Sequence, residues 1–213
     1  PAPPPMASFL RASASSCSSF RRWSDSVLTR SATSPTGVFN WSAMLRATIA
    51  APILRALNRL RTEHDGKVFL DVNLRDPWWD GEAVWDWISM ADWLKLNHNE
   101  LQLLGLMCDD LATSAKAILQ RFGLEGVIVT SGEEGAYLLT ASGEQHTIKP
   151  EPVAEVVDTV GAGDAFTSVI LAGLSAGWPL SQTMVRAQKL ASAIVTIRGA
   201  LPKNRDVYQN IIG

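Results

Sequence analysis

The residues with the clearest capacity for chemistry are Asp158-Thr159-Val160-Gly161-Ala162-Gly163-Asp164, set between an extended run, Pro152 to Val157, and a strongly apolar stretch. Glycines at 161 and 163 permit turns that a Cβ would obstruct, so the amides of 161 to 164 can converge where a helix starts. Unpaired N–H groups at the positive end of a helix dipole stabilise negative charge, such as that on a phosphoryl group in transfer. A carboxylate in such a cup competes with the anion unless its task is to accept a proton from an attacking hydroxyl. Asp164 therefore reads as a general base, with helix capping as the competing role. No Gly-Lys-Ser/Thr follows, so the segment is not a P-loop, and Phe166 stands where the last glycine of a dinucleotide fingerprint would be.

Other chemistries have little support. The only cysteines, Cys17 and Cys108, form no C-x-x-C, and His64, His98 and His146 are scattered, so neither a zinc site nor a disulfide scaffold is indicated. No G-x-S-x-G elbow accompanies them, which removes the usual basis for a Ser-His-Asp hydrolase. With 19 Lys+Arg against 21 Asp+Glu, a net charge of −2 and 46% hydrophobic residues, the chain reads as neither a basic nucleic-acid binder nor a disordered polyelectrolyte. Its longest apolar runs, such as Val169 to Ala172, fall far short of the roughly 20 residues that span a bilayer. The reading is a soluble, cytoplasmic protein. Of its eight Trp, those at 78, 79, 85, 87 and 93 crowd one stretch and are expected to serve core and hinge packing rather than a ligand cage.

The elements that must position the loop follow from periodicity. Residues 1–35 hold ten Ser, five Pro and four Arg with one acidic residue, Asp25, so residues 1–47 form an atypical, poorly ordered segment. From Met6 onward its composition is also that of an organelle transit peptide. Ile53, Leu54, Leu57 and Leu60 then mark an amphipathic helix. Lys67 to Val72 and Asp92 to Leu96 read as strands with a helix near Glu82 to Ser89 between them, a βαβ rhythm. Helices are expected over Asn97 to Leu104 and Leu111 to Phe122, a buried strand over Gly126 to Thr130, and a hairpin turning at Ala141 to Gly143. Asp164 to Ala176 and Leu180 to Ile197 close the chain as two helices. The fold class is α/β with a mostly parallel sheet.

DTVGAGDAF followed by an apolar helix resembles the signature of the PfkB, or ribokinase-like, carbohydrate kinases. Three further blocks are similar to the same family in the same order: Asp71-Val72-Asn73-Leu74-Arg75, Lys95-Leu96-Asn97-His98-Asn99-Glu100 and Thr130-Ser131-Gly132-Glu133-Glu134-Gly135. With Arg198-Gly199-Ala200 the resemblance covers roughly residues 48–205. It implies a three-layer αβα sandwich, a catalytic and nucleotide-binding part over 48–213, and ATP and Mg²⁺ as cofactors.

The resemblance also implies roles. Asp164 matches the base that deprotonates the sugar hydroxyl, and the amides of Gly161, Ala162 and Gly163 match the anion hole. Asn97 and Glu100 match an N-x-x-E element that organises Mg²⁺ through water, although Asn followed three residues later by Glu is also a capping box. Thr130, Gly132 and Gly135 match the loop that approaches ATP, and Lys189 lies where relatives place small or amide residues beside the adenine. Asp158 and Thr159 match oxygen donors to a monovalent cation, K⁺ in type. Asp71, Asn73 and Arg75 match the floor of the substrate and phosphate site.

The D-V-N-L-R-D-P-W-W form is most similar to bacterial-type fructokinases, which implies phosphorylation of fructose to fructose 6-phosphate. Ribokinase and 2-keto-3-deoxygluconate kinase share the catalytic loop and are alternatives. The family's first strand, Gly-Gly hinge and lid, which often makes a homodimer contact, are not recognisable in residues 1–47. This leaves a second expectation, a fold truncated at its N-terminus that acts as a non-catalytic nucleotide-binding or interaction domain.

Overall fold

The computed structural model describes residues 66–76, 79, 81–153, 155–202 and 206–212, preceded by four isolated helical positions at 55, 56, 59 and 63. The segment 1–47 and most of the amphipathic helix expected after Ile49 lie outside the described residues. Arg59 and Glu63 form an exposed ion pair at 3.3 Å, one helical turn apart.

The chain divides into two compact units, one of residues up to 127 together with 140–142, the other of residues 128–139 and 143–213. In the first unit, strand β1 (Phe69–Asp71) leads to helix α1 (Gly81–Met90) and strand β2 (Trp93–Asn97), the expected βαβ order. β1 and β2 are parallel, with Phe69 opposite Trp93, Leu70 opposite Leu94 and Asp71 opposite Lys95. Consecutive residues Leu94, Lys95 and Leu96 are all buried. Because successive side chains of a strand point to opposite faces, both faces of β2 are covered, as in α/β sheets.

Helix α2 (His98–Leu103) follows β2 directly, and helix α3 (Leu111–Phe122) has the predicted bounds. Asp110 Oδ1 caps α3 by accepting from the Thr113 amide at 2.6 Å, and Gly123 ends it in the left-handed region at φ 66°. Two tryptophans do the packing expected of them. Trp85 stacks on Phe122 with centroids 6.0 Å apart, and the Trp93 ring lies where a Cβ on Gly126 would sit only 2.3 Å away. Glycine is thus required at the start of strand β3 (Gly126–Thr130) for the indole to lie flat on the backbone.

In the second unit, a tight 3₁₀ turn (Gly132–Glu134) joins β3 to β4 (Ala136–Thr140), which pairs antiparallel with β5 (Gln145–Ile148). The hairpin is the one read from the sequence. Along the sheet the strands follow the order β1-β2-β3-β4-β5, parallel at the β1–β2 end and antiparallel at β4–β5.

Helices α4 (Ala162–Ala176) and α5 (Leu180–Val195) are antiparallel neighbours in sequence, joined at Gly177, which takes φ 67°. They approach so closely at Gly173 that a Cβ there would lie 2.4 Å from Thr183.

Three boundaries differ from expectation. Helix α4 begins at Ala162, because Gly161 at φ 86° turns the chain earlier, which places Asp164 in the first helical turn. The residues described between 152 and 157 do not form a strand; the Val157 amide bonds instead to Val195 O at 2.8 Å. After α5 a further helix, α6 (Asp206–Ile212), closes the chain, its short period having been unrecognised. Among the described residues no helix is long and apolar enough to cross a membrane.

Candidate active site

The second unit contains the glycine loop. Val195 O, at the end of α5, accepts from the amides of Val157 at 2.8 Å and Asp158 at 3.2 Å, which pins the loop to that helix. Asp158 then closes the loop on itself. Its Oδ1 accepts from the Val160 amide at 3.0 Å and its Oδ2 from the Gly199 amide at 3.2 Å, a link of 41 residues in sequence. These two amides, with the Arg198 charge, hold the Asp158 carboxyl below the usual carboxylate range. Asp158 therefore serves as the brace of the loop, and Thr159 as its turn, since Thr159 O accepts from the Ala162 amide at 3.3 Å.

The brace leaves a particular set of donors open. Among the described residues the amides of Gly161, Gly163 and Asp164 have no acceptor, while that of Ala162 is drawn back into the turn. Gly161 combines two demands. Its φ of 86° disfavours any side chain, and a Cβ there would meet Ala200 at 2.4 Å (Cβ) and 2.7 Å (Cα). Asp164 is exposed in the first turn of α4, where the open amides gather. Helix start, open amides and exposed carboxylate occur within four residues. This is the geometry for holding an anion and taking a proton beside it.

Thr130 ends β3, and Gly132 and Gly135 open and close the turn that follows it. The Ser131 amide donates to Gly135 O at 2.7 Å and the Gly135 amide to Gly132 O at 3.1 Å. Gly135, at φ 96°, lies against β5 so tightly that a Cβ would sit 1.9 Å from Ile148 O, so its requirement is met by the hairpin itself. The Ser131 hydroxyl is buried with no hydrogen-bond partner among the described residues, an orphan that a ligand oxygen or nitrogen would satisfy.

Lys189 lines a cavity of about 280 Å³ whose apolar wall includes Ile148, Pro152, Val153 and Val185. Thr196, next to the Val195 carbonyl that pins the loop, lines the same cavity. A planar base fits this kind of space, with the loop next to its rim, so the residues present fit a nucleotide.

In the first unit, Asp71, Asn73 and Arg75 follow one another off the end of β1, with Asn73 at a positive φ of 45° and Arg75 exposed without an ion-pair partner among the described residues. Lys95 Nζ donates to Asp71 Oδ2 at 2.8 Å. Asn97 and Glu100 form the full capping box: Asn97 Oδ1 accepts from the Glu100 amide at 2.9 Å, and Glu100 Oε2 from the Asn97 amide at 2.8 Å. Glu100 Oε1 accepts from the Leu74 amide at 2.8 Å, which fastens the Asp71–Arg75 segment to α2.

Each Glu100 oxygen thus retains at most a lone pair for an outer-sphere water. No group of three or more His, Cys, Asp or Glu among the described residues could enclose a metal ion.

Lys95 was not assigned a role from the sequence, although a lysine in the middle of an otherwise apolar strand was the available signal. In the sequence Gly199 and Ala200 carry no signal beyond the Arg198-Gly199-Ala200 block. Their function as the lid on Gly161 and the second anchor of Asp158 depends on a long-range approach that no local pattern reveals.

A match to the pfkB family of carbohydrate kinases spans residues 19–206. The chain belongs to this family. The match starts well before residue 48, the rough start of the resemblance seen in the sequence. The chain is 35% identical over 159 residues to aminoimidazole riboside kinase from Salmonella typhimurium, covering 70% of this chain and 48% of that protein. It is 34% identical over 157 residues to a fructokinase of Salmonella typhimurium, covering 67% and 50%.

Among solved structures, aminoimidazole riboside kinase from Salmonella enterica, complexed with aminoimidazole riboside and an ATP analogue, superposes with a TM-score of 0.62 at 29% identity. It covers 74% of this chain and 56% of that one. The chain thus spans about half the length of these relatives. The fold is ribokinase-like, as the motif order had implied.

Proposed function

We propose that this pfkB-family chain transfers the γ-phosphoryl group of a nucleoside triphosphate to a sugar hydroxyl. The observation that carries the reading is that the Gly161, Gly163 and Asp164 amides are left open at a helix start whose first turn also carries the exposed Asp164. The hydroxyl oxygen of the sugar attacks the γ-phosphorus, its proton passes to Asp164, and the nucleoside diphosphate leaves with the electrons of the broken P–O bond. The open amides stabilise the oxygens of the group in flight. Ala162 contributes chiefly by the turn that aims its neighbours.

When bound with the nucleotide, Mg²⁺ neutralises phosphate charge, and Asn97 and Glu100 bias its water shell. The likeness of the Asp71–Arg75 block to the family's motif supports roles for Asp71, Asn73 and Arg75 toward acceptor and phosphate. Asp158 and Thr159 offer their remaining oxygen lone pairs to K⁺ beside the loop. The acceptor proposed is fructose, supported by the D-V-N-L-R form and the fructokinase relative. The aminoimidazole riboside kinase relatives of similar identity support a ribosyl acceptor as the second reading.

The test is diphosphate release from Mg-nucleotide with fructose, ribose and aminoimidazole riboside, comparing the full chain with Asp164→Asn. A fall in kcat of about 10²-fold or more is expected with nucleotide affinity retained. Equal turnover by the two proteins would remove Asp164 as the base, and no turnover with any acceptor would favour a nucleotide-binding role without transfer.

A further inference from the structure

Three carboxylates neighbour Arg75 along the chain or through one hydrogen bond, and each is turned to another donor. Asp71 Oδ2 accepts from Lys95 Nζ at 2.8 Å, and Asp76 Oδ1 accepts from Trp79 Nε1 at 2.7 Å. Glu100, buried, spends one oxygen on the Leu74 amide and the other on the Asn97 amide, both at 2.8 Å. Arg75 itself is exposed, with no ion-pair partner among the described residues.

Of these carboxylates, Asp71 alone meets a full positive charge. Lys95 is buried and lies opposite Asp71 in the parallel register of β1 and β2, and its carbonyl accepts from the Val72 amide at 3.1 Å. The ammonium is therefore anchored at its backbone and neutralises Asp71 from within the sheet. Asn73, midway between Asp71 and Arg75, turns the chain at φ 45°. The turn holds this five-residue segment short of its extended span, so the long Arg75 side chain can fold back on Asp71. A guanidinium is a carboxylate's preferred bidentate partner, and an Asp71 left uncompensated would capture it.

We infer that Lys95 is a positioning residue for phosphoryl transfer: by occupying Asp71 it keeps the Arg75 guanidinium free to meet a phosphate. The inference rests on the kinase reading, which gives Arg75 its phosphate. It goes beyond that reading in assigning a task to the one lysine buried in an otherwise apolar strand, a residue that acts through its neighbours.

The experiment follows modification of Arg75 by phenylglyoxal, an arginine-specific reagent, by peptide mass spectrometry. It compares the full chain with Lys95→Gln, Lys95→Met and the double variant Lys95→Gln/Asp71→Asn. Lys95→Gln keeps an amide donor for Asp71 without the charge, so a folded form is at hand if Lys95→Met does not fold, and thermal melts check each protein. Arg198, exposed in the second unit, is the internal reference. The expected result is labelling of Arg75 slowed about fivefold in the single variants, the worth of one exposed ion pair. The parental rate returns in the double variant, where no carboxylate remains at 71.

Steady-state rates with Mg-nucleotide and the three acceptors supply the second readout. Lys95→Gln lowers kcat/KM, and Arg75→Gln masks that loss, so that Lys95→Gln/Arg75→Gln is no slower than Arg75→Gln alone. Unchanged Arg75 labelling in the folded single variants overturns the inference. So does a Lys95 loss that multiplies with the Arg75 loss, because the two residues then act independently. Absence of turnover by the parent with every acceptor overturns the kinase reading, while the labelling still decides whether Lys95 keeps Arg75 free.

Discussion

Lys95 Nζ donates to Asp71 Oδ2 at 2.8 Å, and the same two residues are register partners across β1 and β2. Their side chains are 6% and 21% exposed, so the ammonium is the more deeply buried. The pair therefore fixes the end of β1, from which the Asn73–Arg75 segment departs.

Breaking a buried pair costs more than replacing both members, because the surviving charge is left without compensation. Lys95→Met and Asp71→Asn are each expected to lose stability, the loss for Asp71→Asn being roughly 3 kcal/mol. The double variant should recover part of the loss. Urea unfolding of the four proteins checks this, and additive losses would show that the pair is energetically independent.

Gly161→Ala is expected to lower transfer by about 10²-fold while leaving most of the fold. A methyl there requires a left-handed backbone and drives into Ala200 at 2.4 Å, so either the loop or the 199–200 segment must move. Over-packing of this kind costs roughly 1–3 kcal/mol. The activity loss should exceed the stability loss, since a displacement of about 1 Å of a positioned group is worth about 10²-fold. Steady-state rates read against thermal melts separate the two effects.

Much of this arrangement was legible in the chain. The glycine loop, the βαβ order and the helix over Leu111–Phe122 follow from patterns within a dozen residues, where turn chemistry and periodicity act locally. The partners that complete the loop do not. Gly199 reaches Asp158 across 41 residues, and Val195 holds Val157 and Asp158 through a carbonyl, a group every residue carries and no sequence pattern marks. Gly135, read as part of the loop that approaches a nucleotide, has a further demand from the approach of Ile148, which no local pattern marks.

Asp158 predicts an acid limb. Amide donors hold its native carboxyl below the usual carboxylate range, so the carboxylate favours the folded loop. The sign follows from linkage: this stabilisation is complete above the unfolded aspartate's range and is lost as pH falls through the depressed native value. Asp158→Asn should therefore match the parent most closely at low pH and fall behind it as pH rises to neutrality. Loop opening read by amide exchange at Val160 and Gly199 across that range measures the effect, and a pH-independent difference would assign the brace to shape alone.

Glu100 offers a test of whether capping and metal organisation coexist in one residue. It is 4% exposed, and its two carboxylate oxygens accept from the amides of Leu74 and Asn97 at 2.8 Å each. Glu100→Gln keeps the shape but turns one acceptor into an NH₂ that must face a backbone N–H. The orphaned amide costs roughly 1–3 kcal/mol, visible as a lower urea midpoint. Asn97→Asp leaves an acceptor for the Glu100 amide and should keep the cap.

If the pair also orders water around Mg²⁺, Glu100→Gln raises the Mg²⁺ concentration needed for half-maximal rate, and Asn97→Asp leaves it near that of the parent or lowers it. If capping is the whole role, the Mg²⁺ dependence of both variants superposes on the parent while only the unfolding midpoint of Glu100→Gln moves. The buried carboxylate is then a tie between the Leu74 segment and α2, and the metal is held by phosphate oxygens and water.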